Sequence, residues 1–231
     1  MQDKKIKQEK ESIGDKINEF IQRNRKGIFA VTGVILILFV GSLVFIYVKD
    51  NFDKKAAAQL EELIIKFDEL RDKMDEEECD EEECDVIDTF IAELESFADK
   101  TRGFSGSKAK SLVAEIYVIR EDWEKAEEAF TAAARIGAKT YLNPILLFNA
   151  AAAAEEQGRL EEAIDLLQQA LSNKFEFPAA PRAQFSVGRL NEQLGNYDEA
   201  IDAYREVMIN WPDLPAWQQL ARSRITAIEI R

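Results

Sequence analysis

Apolar residues are distributed along this chain in two ways, first as one unbroken run and then as stripes at helical spacing. The run is Ile28 to Val48, IFAVTGVILILFVGSLVFIYV, twenty-one residues without a charge, bounded by Arg25-Lys26 and Lys49-Asp50. At about 1.5 Å rise per residue it crosses the roughly 30 Å hydrocarbon layer of a bilayer, where a helix satisfies its own backbone polar groups. A cleaved signal peptide would have a shorter apolar core and a small-residue exit, which Tyr47-Val48-Lys49 does not offer. The pattern predicts an uncleaved transmembrane helix over 28–48. The tail before it, residues 1–27, has a sparse stripe of Ile6, Ile13, Ile17, Phe20 and Ile21, which suits a charged segment that fixes topology or a short docking helix.

Beyond the span the stripes are regular. Over 56–74, Leu60, Leu63, Ile64, Phe67 and Leu70 fall at i, i+3, i+4, i+7 and i+10, and over 86–98 Ile87, Phe90, Ile91, Leu94 and Phe97 repeat the device. Residues 49–106 are therefore expected to form a helical hairpin. From Ser107 the sequence repeats itself with a 37-residue period: Trp123, Leu160 and Tyr197 recur in register, as do Ala126, Ala163 and Ala200, then Phe130, Leu167 and Tyr204, then Ala133, Ala170 and Val207. Each copy follows a first helix with a small residue, Ala114, Ala151 or Gly188, and two of the three turns carry glycine, Gly158 and Gly195. After residue 212, Asp213-Leu214-Pro215 is a helix-start signal, and Trp217, Leu220, Ala221, Ile225 and Ile228 predict a closing helix over 213–231.

Residues 107–212 resemble three copies of the tetratricopeptide repeat. In that family small residues let the paired helices approach closely, a large residue fills the space between pairs, and a proline follows the second helix, as Pro212 does here. The resemblance assigns packing roles to Ala126, Phe130, Ala163, Leu167, Gly188, Ala200 and Tyr204. The third copy fits best. The second has Phe175 where proline is expected, and the first has Ala138 there and Arg120-Glu121 in its turn. The fold class expected is all-α, an N-terminal transmembrane helix followed by an α-solenoid of tetratricopeptide-like helix pairs, with the 49–106 hairpin as a cap or degenerate repeat.

Charge then places the parts. The 27-residue tail carries eight Lys and Arg against five Asp and Glu, whereas residues 49–231 carry twenty-two against thirty-nine. An acidic body argues against nucleic acid or anionic lipid as its main partner. Arg23, Arg25 and Lys26 crowd the N-terminal edge of the span, and a short basic tail resists translocation more than a long body does. The tail is expected in the cytoplasm and the body on the exported side.

The chain has no histidine, which removes the imidazole bases and ligands that serve most catalytic sites near neutral pH. No enzyme activity, cofactor or metal is expected. The acidic stretch from Asp75 to Asp85, DEEECDEEECD, lacks the spaced ligands and glycine of a calcium loop, and the spacing of Cys79 and Cys84 is too wide for a C-x-x-C motif. It reads as a solvated acidic loop, as a small disulfide loop joining Cys79 to Cys84, or as a contact for a cation or basic partner.

In the repeat family the first helices of the pairs form a concave surface that binds peptides or proteins. Carried over, it implies a surface with Ser111 and Glu115, then Phe148, Asn149 and Ala152, then Arg182, Phe185 and Arg189. There the phenylalanines would grip apolar side chains and the arginines would meet carboxylates, unless both phenylalanines belong to the core between repeats. The whole order of parts is similar to the YfgM-type inner-membrane proteins of bacteria. That resemblance implies a bacterial inner-membrane location with a periplasmic body, and translocon or periplasmic chaperone components and exported polypeptides as partners. The alternatives are a cytosol-facing receptor on an organelle membrane and an envelope scaffold unrelated to secretion. Such receptors clamp a carboxylate with Lys and Asn, where Glu115 would repel it.

Overall fold

The computed structural model describes residues 13–74 and 81–230, all of whose regular structure is helical. In order these helices are α1 (Ile13–Met74), α2 (Glu81–Lys100), α3 (Gly103–Ile119), α4 (Trp123–Ile136), α5 (Leu142–Glu156), α6 (Leu160–Leu171), α7 (Ala180–Leu194), α8 (Tyr197–Asn210) and α9 (Pro215–Glu229). They fall into two compact units, Met1–Lys55 and Ala56–Arg231.

The tail stripe from Ile13, the uncharged run and the first hairpin stripe, expected as separate segments, are one helix, α1. No proline interrupts the chain before Pro144, and Gly27, Gly33 and Gly41 lower helix propensity without breaking it. Ile6 lies outside the described residues. Helix α2 starts at Glu81, inside the acidic stretch and earlier than the apolar stripe suggested. Asp85, a carboxylate near its start, suits the positive end of a helix. Cys84 sits in the first turn of α2 and is disulfide-bonded, while Cys79 lies outside the described residues.

In the second unit, Leu60, Leu63 and Phe67 of α1 share a core with Ile87, Phe90, Ile91 and Leu94 of α2. The core continues through α3/α4, α5/α6 and α7, each helix packing on the next. Small side chains make this possible. Ala126, Ala163 and Ala200 are fully buried, and α5 buries Ala150, Ala151, Ala153 and Ala154. Phe130, Leu167 and Tyr204 fill the interior at equivalent positions with at most 4% exposure. A second cluster of Ala200, Tyr204, Val207, Ala221 and Ile228 closes the array at α9. Leu220, read from the stripe as part of that apolar face, is instead 48% exposed, because it lies at the outer edge of α9 while Ala221 and Ile228 point inward.

The turns within the pairs explain the glycines. Gly158 and Gly195 have φ of 73° and 80°, in the left-handed region that favours glycine. One period earlier Glu121 occupies the same conformation, with φ 55°.

Candidate protein-binding cleft

Between α1, α3 and α5 the second unit has a cleft of about 440 Å³, with the start and middle of α4 as its base. Its apolar lining is Phe67, Val118, Ile119, Trp123, Phe130, Ala152 and Ala153, with Trp123 and Phe130 from α4, and its polar lining is Arg71, Glu115, Asn149 and Glu156. Helical spacing positions these groups: Asn149, Ala152, Ala153 and Glu156 lie on one face of α5, and Glu115, Val118 and Ile119 on one face of α3.

Trp123 is fixed at both ends of its backbone. Asp122 caps α4, accepting hydrogen bonds from the Lys125 amide at 3.2 Å and from Lys125 Nζ at 2.6 Å, and the bond to the Lys125 side chain draws its pKa down. Gln157 Nε2 donates to the Trp123 carbonyl at 3.1 Å and to Glu127 Oε2 at 2.9 Å, and Arg159 Nη2 donates to the same Glu127 oxygen. Glu127 is buried, and desolvation pushes its pKa up against the pull of Arg159. This knot ties the start of α4 to the turn between α5 and α6.

On the rim, Lys108 Nζ donates to Glu115 at 3.1 Å and Arg71 meets Asp68 at 3.5 Å. Two carboxylates, Glu115 and Glu156, face an apolar base, an arrangement that suits an apolar side chain flanked by donors and disfavours a free carboxylate. Among the described residues no cluster of His, Cys, Asp and Glu is arranged to hold a metal.

Of the eight residues expected on a binding face, Glu115, Asn149 and Ala152 line this cleft, whereas Ser111 is buried and donates to the Lys108 carbonyl at 2.8 Å. Phe148 and Arg182 belong to the next junction, where the Arg182 guanidinium lies 5.6 Å from the Phe148 ring and Phe148 stands 6.2 Å from Phe177. Phe148 is half-buried against the main core. Phe185 is wedged between Tyr204 at 5.0 Å and Trp217 at 5.6 Å, in the closing core. Both phenylalanines thus pack against core residues while remaining half-buried. Arg189 does meet a carboxylate, but one within the chain: its Nη1 and Nη2 donate to the two oxygens of Glu155, each at 2.6 Å. Phe67, Trp123 and Glu156 were not expected at a site. The stripe containing Phe67 was the available signal, since it made that residue inward-facing without naming its neighbour.

The sequence pattern of the tetratricopeptide repeat-like domain matches residues 18–230. A TPR repeat-containing protein of Treponema pallidum (strain Nichols) is 37% identical over 145 residues, 62% of this chain, and the chain spans 60% of that relative's length. Two crystal structures of nearly identical TPR-like repeats from a Podosopora anserina putative kinesin light chain align with 74% of this chain and with 95% and 96% of theirs. Their TM-scores are 0.49 and 0.48, at 16% and 17% identity. The family match extends beyond the three in-register copies to take in both the preceding hairpin and the closing helix, and by it this chain belongs to the tetratricopeptide repeat-like domain family.

Proposed function

We propose that this chain is a single-span membrane protein that recruits a protein partner through the cleft between α1, α3 and α5. Its tail faces the cytoplasm, and its repeat array stands on the periplasmic side of a bacterial inner membrane, ancillary to the Sec translocon and its chaperones. The cleft carries the reading: it is concave, mostly apolar, edged by a few polar groups, and formed by helices of a family whose fold is typically an interaction scaffold. Support for the anchor comes from composition and exposure. The most apolar 18-residue stretch of the candidate span has a mean hydropathy of 2.8, and Phe29, Ile37, Leu38 and Phe45 are each at least 68% exposed, a surface that lipid would cover. The Sec and chaperone assignment rests on the resemblance to YfgM-type proteins in the order of tail, span, hairpin and repeats.

Recovery of partners with the full-length protein from membranes in mild detergent is the test. Ala152 is exposed and lines the cleft, so Ala152→Arg obstructs it with little effect on the core. Gln169→Arg, at an exposed site on α6, adds the same charge outside it. Translocon or periplasmic chaperone components are expected with the wild type and with Gln169→Arg, and to be lost with Ala152→Arg. Equal recovery from both variants would remove the cleft from the proposal.

A further inference from the structure

A second and larger cavity, about 880 Å³, opens between α6 and α8 over α7. Its apolar lining includes Leu171, Phe177, Val187 and Trp211, and four carboxylates, Glu176, Glu199, Asp202 and Glu206, stand along it. The spacing of 199, 202 and 206 puts three of these on one face of α8. No lysine or arginine lines the cavity. Asp202 meets Arg205 at 3.1 Å, and among the described residues Glu176, Glu199 and Glu206 form no ion pair.

This groove is not the cleft. Its α7 positions 180, 184, 187 and 191 correspond, one 37-residue period back, to 143, 147, 150 and 154 of α5, whereas the cleft uses 149, 152, 153 and 156. The two cavities therefore use different faces of equivalent helices. Occupation of one leaves the other open.

We propose that the groove seats a cationic amphipathic helix of a protein partner, its apolar stripe on Leu171, Phe177, Val187 and Trp211 and its lysines or arginines along Glu199, Asp202, Glu206 and Glu176. Charge complementarity selects the occupant. A row of four carboxylates, three of them outside any ion pair among the described residues, beside apolar side chains attracts a segment with both features and repels anionic lipid and nucleic acid. Geometry selects a helix, because the α8 wall from Glu199 to Asn210 is about three helical turns long and a trough between two helices accepts the ridge of a third. The inference goes beyond the cleft reading and does not depend on it.

The test uses the full chain in maltoside micelles, with micelles alone as the blank. The probe is a fluorescein-labelled peptide of about fourteen Leu and Lys residues with Leu at helical spacing, read by anisotropy at about 150 mM salt. Gln168→Trp narrows the groove from an exposed position, and Glu199→Lys with Glu206→Lys reverses its charge. Glu161→Lys with Asp165→Lys makes the same charge change at exposed α6 positions outside the groove. Both groove variants are expected to weaken binding about tenfold or more, while the α6 control, Ala152→Arg and the wild type agree within about twofold. A peptide of the same composition in scrambled order is expected to bind poorly. The proposal is overturned if the wild type does not bind the probe, if both double charge reversals weaken it equally, if Gln168→Trp leaves it unchanged, if the scrambled peptide binds as well, or if Ala152→Arg alone abolishes it.

Discussion

Gly188 of α7 faces the ring of Tyr204 of α8 so closely that a Cβ at position 188 would stand 2.6 Å from Tyr204 Cε1. Tyr204 is fully buried and Phe185 closes its other side at 5.0 Å, so the ring has little room to retreat. Gly188→Ala is therefore expected to destabilise the 56–231 unit by about 1–3 kcal/mol, despite the better helix propensity of alanine. Urea unfolding checks this, and Tyr204→Leu in the same chain should recover part of the loss. A Gly188→Ala variant as stable as the wild type would show that these helices are not in close packing.

Glu121 stands where the second and third pairs have glycine, with φ of 55° against 73° at Gly158 and 80° at Gly195. A side chain in this region costs about 1–2 kcal/mol, partly offset because glycine loses more freedom on folding. Glu121→Gly should raise stability by up to about 1 kcal/mol, and Gly195→Glu should lower it. Denaturation midpoints of the two variants should move in opposite directions.

These two sites show what was legible in the chain. The 37-residue register displayed the turns, the small residues and even the odd glutamate, because helix pairing depends on local spacing that repeats with the fold. The cleft was legible only in part. Phe67, Trp123 and Asn149 line one cleft from three helices, and the spacing within any one helix does not say which face of a neighbour it will meet. The bidentate pair of Arg189 with Glu155 was hidden for the same reason, since it joins α5 to α7 at a separation of 34 residues, off this chain's 37-residue register. For Phe148 and Phe185 the family register left surface and inter-repeat core both open, because the aromatic neighbours they pack on, Phe177 and Trp217, lie in a link and in the closing helix, outside the repeated pattern.

Burial lifts the Tyr204 hydroxyl to about 12 from an ordinary value of 10.0, and the nearby Glu192 carboxylate adds to the rise. The folded chain thus keeps this proton where the unfolded chain would lose it. The associated stability is complete below pH 10 and is lost as pH climbs toward 12, by about 1.4 kcal/mol for each unit. Tyr204→Phe removes the titrating group and should give a shallower fall in stability over that window. Equal slopes in the two proteins would show that Tyr204 is not the group responsible.

The orientation proposed for the chain has a direct readout at Cys84, which sits in the first turn of α2 on the body side of the uncharged run. After mild reduction, a membrane-impermeant maleimide added to intact spheroplasts should label the protein, and Cys79→Ser should leave a single labelled site. Labelling only after lysis would place the body in the cytoplasm and reverse the assignment made from Arg23, Arg25 and Lys26.

Under the proposed function the membrane span supplies proximity and the 56–231 unit supplies recognition. Two proteins confined to one membrane meet at an effective concentration that reaches the millimolar range for short tethers, so a modest contact in the body can hold a partner in place and still be weak in solution. If the body supplies recognition, the 56–231 fragment alone should bind the partner recovered with the full chain, but more weakly by about 10²–10⁴-fold in apparent affinity. Replacing residues 28–48 with an unrelated single span should restore full recovery, and Ala152→Arg should abolish it in either background. Should the unrelated span lose the partner while Ala152→Arg retains it, recognition would reside in the membrane helix, and the cleft would have to be abandoned as the recruiting surface.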